Sequence, residues 1–273
     1  MRIWFLADMH LGHMGCHKKL LSKIVKMIAD TDPTRNRVFL EGDLLDAIAV
    51  TDKRFALSSL DDEIRNRGRD SIVNQQSDMA IGILSPLRGY IDAMLIGNHE
   101  QKIVKSSSDP LDAVCKEIGG NYEGAICAYI RYKVPAIAPK NGRGHGHSWT
   151  VDCQIHHGAG GGSQSGSKII RIERRADHWP TATIISSGHT HKKFITSTSR
   201  MYASTGEVLN IKEKVQHCFS VGSFLRGYHD EIKGVSYIEQ GDYNPTDLGG
   251  LYADIEFSHE DGNRVPYIHW GNV

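Results

Sequence analysis

Five short segments spread over residues 1–191 place carboxylate, imidazole and carboxamide side chains at spacings that suit metal binding. In Asp-x-His and His-x-His segments, side chains two residues apart can both turn towards one crevice. Ligands of these types, without thiolates, suit divalent ions such as Mn, Fe, Zn or Ni. Seven ligands are too many for one ion and suit two ions that share a bridging carboxylate. The candidates lie in Asp8-Met9-His10, Gly42-Asp43, Asn98-His99, His156-His157 and His189-Thr190-His191, where His99 and His156 stay open as further candidates.

Each candidate follows a short apolar run that is typical of a β-strand. The carboxyl ends of parallel strands meet at one edge of an α/β sheet, and functional groups gather there. The five loops after these strands are therefore expected to bring their side chains into one shared crevice. The runs lie at residues 3–7, 38–40, 93–96, 149–155 and 183–185.

The remaining sequence predicts an α/β protein. Apolar spacing indicates one helix at 20–28 and a long helix at 55–84, which Pro86 ends. This alternation of strands and helices favours parallel pairing. One domain over 1–273 is the simplest interpretation, in which 192–273 forms C-terminal strands that could cover the active site or form a subunit contact. The second half predicts further strands and one short basic helix, at 125–134, 194–202, 216–221, 250–255 and 169–175.

The five segments, taken in order, resemble the motifs of the calcineurin-like metallophosphoesterase superfamily. One motif alone is weak evidence, but five in the family's order are strong. The resemblance implies a two-sheet β-sandwich flanked by α-helices, with four αββα layers. The segments are Asp8-Met9-His10, Gly42-Asp43-Leu44-Leu45-Asp46, Gly97-Asn98-His99-Glu100, His157-Gly158 and Gly188-His189-Thr190-His191.

The resemblance also implies a role for each residue. The first ion would be held by Asp8, His10, Asp43 and His191. The second would be held by Asp43 as the bridge, with Asn98, His157 and His189. The activity would be hydrolysis of phosphate esters, as a phosphodiesterase or phosphatase, by a metal-activated hydroxide. His99 would act as the general acid, and Asp46 or Glu100 could tune its acidity. Two divalent ions are implied, with Mn favoured over Fe, Zn and Ni.

Several other histidines keep two interpretations. His156 and His157 compete for one ligand role, and His157 is preferred because it directly precedes Gly158, as in the family's pattern. His156 could contact substrate or simply pack. His13 could touch substrate or be a surface loop residue. The H-x-H segment at 145–147 lies outside the motif order and is interpreted as a solvated hairpin tip.

Two features bear on the substrate. Ala47 and Ile96 stand where the family's protein Ser/Thr phosphatases carry arginine, which counts against a phosphoprotein substrate because arginine is the natural bidentate phosphate clamp. Four basic side chains could form a rim for an anionic substrate or a solvated helix face, and both interpretations stay open. They are Lys168, Arg171, Arg174 and Arg175.

Two other functions fit the same motifs. One is a nuclease like the DNA-repair members of the superfamily, because the segment Asp8-Met9-His10-Leu11-Gly12 resembles their first motif. The other is a non-catalytic metal-binding scaffold of the same fold, and the presence of His99 favours catalysis over it.

The composition bears on where the protein is expected in the cell and on what it is expected to bind. The formal net charge is zero, which gives no basic footprint for nucleic acid, although nucleic acid is not excluded as a partner. The five cysteines are odd in number and widely spaced, which favours reduced thiols in the cytoplasm. No apolar run is long enough to span a membrane. The expected partner is a phosphoester substrate, and a homo-oligomer stays open.

Overall fold

The computed structural model describes residues 1–48, 55–66, 72–105, 107–134, 149–160, 165–203, 211–228, 237–260 and 263–273. Ten strands and seven helices occur in this part of the chain. The strands are β1 (Arg2–Leu6), β2 (Asn36–Leu40), β3 (Ile91–Met94), β4 (Cys127–Val134), β5 (Trp149–His156), β6 (Ile184–Ser187), β7 (Phe194–Ala203), β8 (Ile211–Ser220), β9 (Leu251–Glu260) and β10 (Asn263–Asn272). The helices are α1 (Lys18–Ala29), α2 (Asp62–Arg65), α3 (Ile72–Leu84), α4 (Asn98–Val104), α5 (Pro110–Ile118), α6 (Ser165–His178) and α7 (Tyr237–Gln240).

The strands form two five-stranded mixed sheets. The first has the order β10-β9-β1-β2-β3, and the second has the order β4-β5-β6-β8-β7. In the first sheet β1, β2 and β3 are parallel, and β9 runs antiparallel beside β1. In the second sheet β5, β6 and β8 are parallel, between antiparallel β4 and β7. The expected parallel pairing is confirmed, and every candidate ligand follows a parallel strand.

The two sheets pack face to face through an apolar layer. Phe5 on β1 is fully buried at the centre of this layer. Its ring lies 5.5 Å from that of Phe39 on the neighbouring strand and 5.3 Å from that of Phe219 on the opposite sheet, in edge-to-face arrangements. The other contacts come from alternate residues of both sheets, as period-2 side-chain direction requires.

Helices cover both outer faces of this sandwich. Trp4 and Leu6 point away from the sheet interface and pack with Leu21 and Ile28 of α1. Ile172 of α6 packs on the outer face of the second sheet, with residues of β6 and β8. The four-layer αββα arrangement that the sequence predicts is therefore confirmed. Among the described residues, no helix combines the length and the apolar character needed to cross a bilayer.

The prediction of a single long helix at 55–84 is wrong. The described residues instead form a short 3-10 turn at Leu57–Ser59, then α2, then α3. Asp61 interrupts the pattern because its side chain accepts a hydrogen bond from the Glu63 N–H and starts a new helix there. Leu60 and its apolar neighbours form a small separate cluster instead of one continuous helix face.

Truncating the ring that joins the sheets should destabilise the fold. Phe5→Ala is expected to lower the free energy of unfolding by about 3–5 kcal/mol, because it removes buried apolar contacts and leaves a cavity. Urea denaturation measures this loss. Met201→Ala changes a side chain that is 72% exposed and should stay within about 0.5 kcal/mol of wild type. Equal stability of the two variants would contradict the packing described here.

Candidate metal centre

Side chains from all five segments converge where the parallel strands of both sheets end. Three groups each contain ligand atoms within 4.8 Å of one another and could hold a metal ion. Two of these groups contain only residues that the sequence selects as metal ligands, and Asn98 adjoins the second. The groups are Asp8 with His10 and His191, Asp43 with His157 and His189, and His10 with Asp46 and His99.

The first group joins the loops after β1 and β6. The Nε2 atoms of His10 and His191 lie 3.3 Å apart, and Asp8 Oδ1 lies 3.3 Å from His191 Nε2. Asp8 and His10 are fully buried. Asp8 Oδ1 has no hydrogen-bond partner among the described residues, which is costly for a buried carboxylate oxygen. A divalent cation fits this donor set, because it would satisfy the carboxylate and both ring nitrogens at once.

The second group joins the loops after β2, β5 and β6. His157 Nδ1 donates to the Glu41 carbonyl oxygen at 2.8 Å, so its Nε2 is the atom that faces the group. That Nε2 lies 3.4 Å from Asp43 Oδ2 and 3.1 Å from Asn98 Oδ1. Burial alone would lower the pKa of His157, but the carboxylates of Asp43 and Asp8 outweigh it and raise the pKa to about 10. A position that attracts a proton so strongly also suits a cation.

Five of the candidate ligands have a left-handed backbone. This conformation is strained for residues with a Cβ atom, and such strain clusters at functional sites. All five side chains belong to the two ligand groups described above. The five φ angles are 51° at Asp8, 49° at His10, 48° at Asp43, 70° at His189 and 52° at His191.

His99 lies beside these groups in the first turn of α4. Its Nδ1 donates to the Asp46 carbonyl oxygen at 2.5 Å, and its backbone N–H donates to Asp43 Oδ1 at 2.9 Å. The first bond fixes the ring and its tautomer and leaves Nε2 as the remaining ring nitrogen, and the second ties the start of α4 to Asp43. His99 Nε2 lies 4.0 Å from Asp43 Oδ2. Of the two residues expected to tune His99, Asp46 contacts it, through its carbonyl and with its carboxylate at 3.8 Å.

Glu100 has a further role, which sequence reasoning missed. Its buried carboxylate accepts three backbone hydrogen bonds. Oε1 accepts from the Leu45 N–H at 2.9 Å, and Oε2 accepts from the Gly97 N–H at 2.9 Å and the Asp43 N–H at 3.2 Å. The loops after β2 and β3 are thereby held together. Burial, and then the charge of Asp43, raise the pKa of Glu100 to about 7. The adjacent Asn98-His99 pair indicates side-chain chemistry, whereas the hydrogen bonds described for Glu100 all come from backbone N–H groups.

Gly97 shows how closely these two loops approach. A Cβ atom at this position would overlap the side chain and the backbone nitrogen of Asp43. Only glycine allows that approach, so the Gly-Asn-His-Glu motif has a packing reason as well as a chemical one.

The histidines with two interpretations are placed as follows. His13 is buried, not a surface residue, and its Nδ1 accepts the Gly15 N–H at 2.9 Å. His156 is half-buried and its Nδ1 accepts the Gly158 N–H at 2.7 Å. Burial lowers the pKa of His156 to about 4, so its ring is neutral near pH 7. Substrate contact by either residue stays a prediction. The H-x-H segment at 145–147 lies outside the described residues.

The C-terminal region contacts the centre from one side. The Ser223 hydroxyl and the Phe224 N–H both donate to the Asp8 carbonyl oxygen, at 2.8 and 2.9 Å. This region therefore supports the loop that carries Asp8 and His10. Its expected roles as an active-site cover or subunit contact stay predictions.

The solved structures that are similar to this chain include two at low sequence identity. No protein-family model and no curated protein matches the chain. A conserved uncharacterized protein from Streptococcus pneumoniae, described as a predicted phosphoesterase, aligns over 98% of this chain and 97% of its own, with 12% identity and a TM-score of 0.34. Vacuolar Protein Sorting 29 from Cryptosporidium parvum aligns over 100% and 98%, with 13% identity and a TM-score of 0.32. Similarities this distant do not indicate a function for this chain. The chain resembles calcineurin-like metallophosphoesterases in its motifs and in its αββα layers.

Removing one hydrogen-bond acceptor from Glu100 should destabilise the two loops that this side chain holds together. Glu100→Gln replaces one carboxylate oxygen with an NH₂ group, which leaves at least one buried backbone N–H unpaired, at a cost of about 1–3 kcal/mol. Urea denaturation of the metal-free protein at pH 8, where the carboxylate is mostly ionised, measures this cost. Glu123→Gln makes the same chemical change at an exposed position and is expected to be neutral. An unchanged free energy of unfolding in Glu100→Gln would contradict the role of Glu100 in holding the two loops together.

Proposed function

We propose that this chain is a phosphoesterase that uses two divalent cations, Mn²⁺ foremost, to hydrolyse phosphate mono- or diesters. The observation that supports this most is the pair of largely buried His/Asp groups, centred on Asp8 and Asp43, which adjoin each other where the His189 N–H donates to Asp8 Oδ2 at 2.7 Å. Adjacent sites of this kind suit a two-metal centre for in-line displacement at phosphorus. Reduced thiols suit a cytoplasmic location, and all five cysteines are free.

The proposed ligand sets follow the two groups. Asp8, His10 and His191 would hold one ion, and His157, His189 and Asn98 would hold the other. Asp43 would bridge them, since its Oδ2 lies 3.4 Å from His157 Nε2 in one group and its carboxylate interacts electrostatically with His10 of the other. When bound, the two ions would supply a hydroxide nucleophile near neutral pH and neutralise charge on the phosphate oxygens.

His99 is the proposed general acid. The Asp46 carbonyl keeps the hydrogen on Nδ1, so proton delivery to the leaving oxygen would use Nε2 of the protonated ring. The ring lies edge-to-face on His10, with centroids 4.7 Å apart, which limits its rotation. A fixed ring beside the proposed ions favours an enzyme over a metal-binding scaffold.

Metal binding can be tested without measuring activity. Calorimetric titration of the metal-free protein with Mn²⁺ is expected to show two sites per chain, and Mn²⁺ should raise the melting temperature because it binds only the folded state. His157→Ala and His191→Ala should each lose one site. His269→Ala, which changes an exposed histidine on β10, serves as the control. A wild-type chain that binds no divalent ion would refute the proposal.

The acid role predicts a dependence on the leaving group. His99→Ala is expected to lower kcat by about 100- to 10,000-fold on an alkyl phosphodiester, whose leaving oxygen needs a proton. The loss should be much smaller on a 4-nitrophenyl ester, whose leaving group departs as an anion. Steady-state kinetics on both substrates give the comparison, and elemental analysis should find the same Mn content as in wild type.

Two results would count against this activity. A metal-loaded wild-type protein that hydrolyses neither monoesters nor diesters would favour the scaffold. An equal loss on both leaving groups would place His99 in metal or substrate binding instead of proton transfer.

A further inference from the structure

A cavity lies on the outer face of the second sheet, between α6 and the adjoining ends of β4 and β5. Its volume is about 350 Å³, in the range of small-ligand pockets. We call it the α6 cavity. The lining residues that matter here are Gln154, His156, Arg171, Arg174, Arg175 and Trp179.

The α6 cavity is strongly basic. Three arginines line it, and none of its described lining residues is an aspartate or glutamate. Asp177, also on α6, is paired with Arg200 of β7 at 2.5 Å and is not among the lining residues. No carboxylate among the described lining residues offsets this charge, although the buried Glu41 carboxyl, which is not a lining residue, interacts electrostatically with Arg175. Arginine is the side chain best suited to grip a tetrahedral oxyanion, because its N–H groups form a fixed fork.

Two buried polar atoms of the lining residues have no hydrogen-bond partner in the described part of the chain. They are Arg175 Nη1, a donor, and Gln154 Oε1, an acceptor. Gln154 is buried, and its Nε2 donates to the Ile155 carbonyl at 3.1 Å, which fixes the direction of the amide. Unpaired buried groups are costly, and both atoms are shielded from water in this conformation, so a ligand that offers both an acceptor and a donor would reach them after a small shift of the side chains that line the cavity. A phosphate monoanion has unprotonated oxygens for Arg175 and a P–OH hydrogen for Gln154.

His156 adds a further donor. Its Nδ1 accepts the Gly158 N–H, so in the neutral ring Nε2 must carry the hydrogen. His156 also ties the cavity to the candidate metal centre, because the next residue along the chain is His157. The loop that follows is held by Arg171, whose Nη1 donates to the Ala159 carbonyl at 3.0 Å.

A narrow cleft continues from the α6 cavity towards the centre. Arg171 and Arg175 line both spaces, and the cleft is also lined by Gly158 and Thr190, neighbours of the candidate ligands. Its volume is about 20 Å³, roughly enough for one water molecule. The cavity is therefore adjacent to the candidate centre but distinct from it.

We propose that the α6 cavity is a second anion site that binds a phosphate group through Arg174, Arg175 and Gln154. The phosphate could be a second phosphate of the substrate or a free phosphate ion. The binding claim does not depend on the proposed hydrolysis, and only the choice between these two sources rests on it.

Calorimetry with inorganic phosphate, in EDTA, tests the binding claim. One phosphate per chain should bind, with a Kd below about 1 mM. Arg174→Gln and Arg175→Gln should each weaken binding about 10- to 100-fold, the effect of losing one charge-assisted hydrogen bond. Arg174 is exposed, so its variant should fold normally, and circular dichroism checks both variants. Arg35→Gln removes the same charge at an exposed position in another part of the chain and should bind like wild type.

Two results would overturn the inference. One is a wild-type chain that does not bind phosphate in this range. The other is binding that is unchanged in both Arg174→Gln and Arg175→Gln, which would place the phosphate elsewhere.

Kinetics of the Mn-loaded protein then distinguish the two sources. The substrates are glucose 1-phosphate and glucose 1,6-bisphosphate. If the cavity takes a second substrate phosphate, Arg174→Gln should raise KM for the bisphosphate at least 10-fold and leave kcat, and both constants for the monophosphate, unchanged. If it takes free phosphate, KM for both esters should stay unchanged, and the variant should lose a component of phosphate inhibition that is not competitive with substrate. Inactivity towards both esters would count against the proposed hydrolysis and leave the calorimetric result standing.

Discussion

The candidate centre depends on a buried carboxylate that is not itself a proposed ligand. Glu100 binds three backbone N–H groups from two loops, and these loops carry Asp43 and Asn98. Hydrogen bonds to an ionised acceptor are among the strongest in proteins, and burial removes the competition from water. The relative position of the two loops is thus set before any cation binds. The close approach at Gly97 follows from the same constraint.

The strained backbone around the centre is held by hydrogen bonds between loops. The Asp8 N–H donates to the Gly42 carbonyl and the His10 N–H donates to the Asp43 carbonyl, both at 3.0 Å. The pairing of β1 with β2 therefore continues beyond the strands, although Asp8 and Asp43 are left-handed. Since these bonds offset a strain of roughly 1–2 kcal/mol per residue, the side chains are held in place without a ligand. Such preorganisation favours binding, because little order remains to be imposed.

The sequence predicted the parts of the molecule whose signals are local. Apolar runs located β1 and β5, and the residue types after them identified the candidate ligands. It failed where tertiary contacts decide. The pattern at 55–84 has helical spacing, but Asp61 caps a new helix within it. Strands were expected over 192–273, but β10 was not located individually, because it is an edge strand that contains Pro266 and exposes Trp270, so its apolar alternation is weak. Glu100 and the α6 cavity depend on distant segments that come together only in the fold.

The candidate ligands are divided between the two sheets. Asp8 and Asp43 follow strands of the first sheet, and His157 and His189 follow strands of the second. Cations shared across this boundary would tie the sheets to each other as a cross-link does. By thermodynamic linkage, whatever separates the sheets must weaken ion binding, and bound ions must oppose that separation by the same free energy. Substitutions in the apolar layer around Phe5 would then alter the affinity of the protein for ions without changing any of the candidate ligands.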